Sequence, residues 1–178
     1  MPNINRMGTA YVPTGNPDTV NDESLYAGGE LGVAYDYRDR TYQIVKLDSG
    51  ASSQAGAALA ANQLLYWHDK AKYIVTNAIN AAQGGAYGGR TAVAGVLRNA
   101  ATAGYYIHML IRGRDIPILC ATGAGGELKG EQVVADTTTA SVVGVAVATA
   151  ITVPLIGVAS RVSTATLLYT DVNLTNLP

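Results

Sequence analysis

Two histidines, one cysteine, two glycine-rich loops and a scatter of carboxylates are the residues of this 178-residue sequence whose types could do chemistry. His68 ends the run Leu64-Leu65-Tyr66-Trp67-His68, and His108 sits inside Tyr105-Tyr106-Ile107-His108-Met109-Leu110. Neither is followed by a second ligand at zinc or catalytic spacing, so each reads as a structural residue in a strand. Cys120 follows Ile116-Pro117-Ile118-Leu119, the place of a buried small hydrophobe. A nucleophilic cysteine would need a histidine partner and a lowered pKa, and neither is signalled. A lone cysteine also excludes an internal disulfide.

The glycine runs Gly84-Gly85-Ala86-Tyr87-Gly88-Gly89 and Gly123-Ala124-Gly125-Gly126 lack the helix and the Gly-Lys-Ser/Thr ending of a phosphate loop, and they read as β-turns. Asp36 and Asp39 lie near one another and Asp18, Asp22 and Glu23 lie near the N-terminus, without calcium-loop or paired-carboxylate spacing. Arg112-Gly113-Arg114-Asp115 reads as a polar turn. The census therefore yields no catalytic residue, no metal ligand set and no cofactor motif, and it points to a non-enzymatic binding or structural module. The alternative from another class is a β-barrel enzyme or ligand-binding domain, which would need His68, His108 or tyrosines to converge in a cleft.

Composition narrows the partners. Net charge is −1 and charged residues are 14% of the chain, against about 25% in an ordinary globular protein, which suits a surface that faces other protein. The twelve basic residues are dispersed along the sequence, so no nucleic-acid footprint is expected. Residues 137–160 carry no charge, but their Thr, Ser, β-branched Val and Pro154 favour two strands over a membrane helix. No membrane partner is expected, and the N-terminal residues do not form a secretory signal. Tyrosine is used eleven times and phenylalanine never, a choice that fits both sheet surfaces and subunit contacts.

The elements that must position these residues are strands. Val33-Ala34-Tyr35-Asp36-Tyr37 and Thr41-Tyr42-Gln43-Ile44-Val45-Lys46 form a hairpin about the polar turn Arg38-Asp39-Arg40. A pattern then occurs twice at an offset of 49 residues: a Gly-Val run around Gly95 and again around Gly144, each followed by a turn and a second run ending in Arg112 or Arg161. A second offset, of 74, sets Tyr42–Lys46 against Ile116–Cys120 and makes residues 57–60 strand rather than helix. The fold class expected is mainly β: two related small β-barrel or sandwich units in tandem with an extended N-terminal arm. Unit one spans 32–113 with an inserted hairpin at about 62–89, unit two spans 114–169, and 170–178 is a C-terminal tail. The arm, 1–31, is rich in Pro and Asn, with apolar residues Ile4, Met7, Tyr11, Val12 and Tyr26 spaced along it. It reads either as a disordered tail or as an arm that orders on a partner through those anchors.

The runs Gly126-Glu127-Leu128-Lys129-Gly130-Glu131-Gln132-Val133-Val134 and Val142-Val143-Gly144-Val145-Ala146 resemble the layout of tailed-phage capsid cement, or head decoration, proteins. Thr41-Tyr42-Gln43-Ile44-Val45, Val93-Ala94-Gly95-Val96 and Ala103-Gly104-Tyr105-Tyr106 resemble the same layout. The resemblance covers residues 41–162. It implies a β-rich protein on the outer surface of the virion capsid, often a homotrimer, that cements neighbouring copies of the major capsid protein and stabilises the head. The anchors Ile4, Met7, Tyr11, Val12 and Tyr26 would then be capsid-binding residues. Another virion component, a minor capsid or tail protein, is the neighbouring reading.

Overall fold

The computed structural model describes residues 4–7, 10–13, 31–51, 53, 58–78, 92–120, 129–135, 143–145, 155–162 and 166–174. These residues form a mainly β protein. In chain order the strands are β1 (Ile4–Met7), β2 (Ala10–Pro13), β3 (Ala34–Tyr37), β4 (Arg40–Leu47), β5 (Gln63–Asp69) and β6 (Ile74–Thr76). They continue as β7 (Val93–Leu97), β8 (Tyr106–Leu119), β9 (Gln132–Ala135), β10 (Val143–Val145), β11 (Leu155–Ala159) and β12 (Leu167–Asn173). β1 and β2 pair with each other as a separate two-stranded sheet.

The other ten strands form one sheet in the order β10-β9-β11-β12-β8-β7-β5-β6-β4-β3. That sheet curls on itself: β4 pairs with β8 from Lys46 opposite Tyr106 to Thr41 opposite Arg112. The ring β4-β8-β7-β5-β6 is thus a closed five-stranded barrel, and closure removes the free edges that an open sheet would carry.

Local sequence explains the ring. In β4, Tyr42 and Ile44 are buried while Thr41 and Gln43 remain half-exposed, the period of two that a sheet face imposes. The β3–β4 hairpin turns on Arg38 and Asp39, with Arg38 at φ 57°, the positive value that tight two-residue hairpin loops require. Gln63–Trp67 of β5 and all of β7 are buried residue after residue, as expected for strands covered on both faces.

The hairpin expected as an insertion at 62–89 is instead structural. β5 and β6 are two of the five barrel strands, joined through a 3-10 turn at Lys70–Lys72 that the Asp69 carboxylate caps by accepting the Lys72 N–H at 3.2 Å. Residues 58–60 are irregular, not strand. The buried Gln63 amide replaces a ladder there, donating to Ala58 O at 2.9 Å and accepting from Ala60 N at 3.1 Å.

The 49-residue repeat does not fold the same way twice. β7 pairs with β8, but the corresponding strands β10 and β11 both flank β9 and do not pair with each other. A Gly-Val pattern encodes the strand and its buried face; it does not encode the partner strand. The expected boundary at 113/114 falls inside β8, whose first half closes the barrel and whose second half pairs with β12. One cluster of buried residues includes Ile44, Leu64 and Leu110 of the barrel and Ile118, Ile156 and Leu168 of the outer strands. The expected tail also begins later than residue 170, because Thr170–Asn173 completes β12 and the Leu174 N–H donates to Ile111 O at 2.9 Å.

β11 and β12 approach so closely that a Cβ built on Gly157 would lie 2.0 Å from the Asp171 carbonyl oxygen. Within 137–160, the described residues include the strands β10 and β11, and no described helix is long and apolar enough to cross a membrane.

Candidate functional site

The expected turn Arg112-Gly113-Arg114-Asp115 is a stretch of continuous β8, and it lines the feature of this fold best suited to recognition. At Arg112 the strand faces Thr41 of β4 on one side and Asn173 of β12 on the other. Just beyond, the ladder with β12 slips, and Asp115 takes φ 51°. This bulge removes the Asp115 N–H from regular pairing, and the Asp171 carboxylate accepts it at 2.9 Å. Asp115 in turn accepts the Ser160 hydroxyl at 2.7 Å and pairs with Arg161 at 3.0 Å. The guanidinium of Arg161 also stacks 3.5 Å above the Tyr169 ring centroid.

Between the β3–β4 turn and this bulge lies a groove of about 470 Å³, lined by four arginines, Arg38, Arg40, Arg112 and Arg114, and three aspartates, Asp36, Asp39 and Asp171. Arg112 and Arg114 are exposed and flank the buried Gly113, so they project from one face of the strand. Gly113 lacks a side chain where the aliphatic stem of Arg40 passes, a built Cβ there lying 3.2 Å from Arg40 Cγ.

The two signs of charge are engaged unequally. Asp36 accepts the Thr41 hydroxyl at 2.6 Å and Asp171 holds the bulge, whereas Asp39 reaches Arg40 only at 4.0 Å. Arg38 rests 5.3 Å from the Tyr37 ring centroid, and Arg112 and Arg114 have no ion-pair partner among the described residues. Asp36 and Asp171 thus brace the fold, and Arg38, Arg112 and Arg114 are exposed.

No protein-family model and no curated protein matches this chain.

The two histidines have different partners. His108 is 5% exposed and shares a hydrogen bond with the Tyr35 hydroxyl, and burial lowers its pKa to about 4, leaving it neutral. His68, at the far end of β5, lies 4.0 Å from Asp48. Neither lines the arginine groove or a second groove of about 420 Å³ bordered by Gln43, Trp67, Tyr73, Ile111 and Leu174. Cys120 is buried. Among the described residues no group of three or more His, Cys, Asp or Glu side chains could hold a metal ion.

Of the expected capsid-binding anchors, Ile4 and Met7 fall in β1, and Tyr11 and Val12 in β2, where Arg6 faces Tyr11 and Asn5 faces Val12. Tyr26 lies outside the described residues, as do both glycine loops and the carboxylates Asp18, Asp22 and Glu23. The groove arginines were not separable from the other basic residues by sequence spacing. Only the β4–β8 register brings Arg38 and Arg40 to Arg112 and Arg114.

Proposed function

We propose that this chain is a non-enzymatic structural protein of a tailed-phage virion, bound to the outer surface of the capsid as a cement between neighbouring major capsid proteins. The observation that carries this reading is the division of the fold into a barrel closed by its own strands and a β1–β2 hairpin in a separate sheet. A self-sufficient scaffold leaves strand β1 of the hairpin, whose other strand β2 lies against β3, and the edge strand β10 available for main-chain pairing with another protein. The low charge of the chain and the resemblance of its Gly-Val runs to head decoration proteins support the same reading. Assembly as a homotrimer belongs to the proposal, since many identical weak contacts on a shell gain strength by avidity.

Gold-conjugated antibody against the protein, applied to intact virions in negative stain, tests the location. Label over the head surface is the expected result. Label confined to the tail, or accessible only after the head is opened, would replace the cement reading with that of a tail or internal component.

A further inference from the structure

We infer that the arginine groove between the β3–β4 turn and the β8 bulge is a docking site for a carboxylate-rich peptide segment of a partner protein. Four of the twelve basic residues of the chain converge there from two separate stretches, 38–40 and 112–114. The guanidinium groups of Arg112 and Arg114 are exposed at alternate positions of one strand and carry no ion pair among the described residues. An outward-facing guanidinium fork matches a carboxylate bidentately, and two forks on one strand face match acidic side chains at alternate positions of an extended peptide.

The aspartates decide against nucleic acid. Asp36, Asp39 and Asp171 border the same groove and reduce its formal excess to one positive charge, too little for a run of consecutive phosphates, and a phosphodiester backbone offers these aspartates no donor. The same aspartates suit a peptide, whose backbone N–H groups are donors. At about 470 Å³ the groove accommodates a few side chains. This inference is independent of the capsid assignment, because it rests only on the groove's geometry and charge.

The test is a titration of the full-length ¹⁵N-labelled protein with an acetylated hexaglutamate peptide, followed by amide shifts and repeated with a neutral hexaglutamine peptide, inorganic phosphate and a single-stranded oligonucleotide. The expected shifts are confined to residues 36–41, 112–114 and 171–173, occur with hexaglutamate alone, and vanish near 1 M salt, where the screening length falls to about 3 Å. The double substitution Arg112→Gln and Arg114→Gln is expected to weaken binding by about tenfold or more, the order of one lost charge-assisted contact. Both sites are exposed, and an unchanged amide spectrum outside the groove verifies that the variant is folded. Shifts elsewhere, no shifts, equal binding by the oligonucleotide or phosphate, or undiminished binding by the double variant would each overturn the inference.

Discussion

The Tyr35 hydroxyl on β3 and Nδ1 of His108 on β8 are 2.5 Å apart, with the two rings edge to face, inside a core that leaves both residues about 5% exposed. Burial holds the His108 pKa at about 4, whereas a free imidazole titrates near 6.5. As pH falls, the unfolded chain therefore takes up the proton first. The stability contributed by neutral His108 is complete above about pH 6.5 and is lost as pH falls through about 4, a total on the order of 3 kcal/mol. Urea unfolding across this window is expected to show a steeper loss for the native protein than for a His108→Gln variant. Parallel curves for the two proteins would remove His108 as the titrating group.

Leu168 on β12 is fully buried in the same cluster as the barrel residues. Leu168→Ala is expected to cost about 2–5 kcal/mol, the range for a buried leucine truncated in a core. Trp67 is the only tryptophan and sits on barrel strand β5, far in sequence from β12. Its fluorescence and the far-UV dichroism should shift to lower urea together, because the barrel and the outer strands share one core. A Trp67 transition that stays in place while the dichroism transition splits would show that the two regions unfold as separate units.

Gly157→Ala is expected to destabilise the protein by about 1–3 kcal/mol, since the added methyl meets the backbone of β12 and cannot be accommodated by a side-chain rotation. Thermal unfolding measures it, and an unchanged midpoint would contradict the close β11–β12 approach.

Much of the fold was legible because strand formation is local. The alternation in Thr41–Lys46, the Arg38-Asp39 turn and the apolar runs ending at His68 and Leu110 each specify a strand within a few residues. Pairing is not local. Nothing near Gly144 or Gly157 says that β9 separates their strands, and nothing near Trp67 says that β5 and β6 close a barrel. The site follows the same rule. His68, His108 and Cys120 were visible by type, and the apolar run before Cys120 correctly marked it as buried. The groove was hidden because its two arginine pairs are separated by some seventy residues and meet only through the β4–β8 register. A stretch read as a turn, Arg112–Asp115, continues as strand because it pairs with β4 and β12 and the Asp171 carboxylate accepts the N–H that its bulge frees.

Co-sedimentation with empty, expanded capsids tests the proposed role most directly, using the full chain beside a chain lacking residues 1–31. The β1–β2 sheet is separate from the ten-stranded sheet, so the shortened chain should keep its Trp67 emission and cooperative unfolding. The full chain is expected to pellet with the capsids and the shortened chain to remain in the supernatant. A full chain that stays in the supernatant would contradict capsid binding itself, and a folded, shortened chain that pellets equally well would contradict the role of the N-terminal anchors.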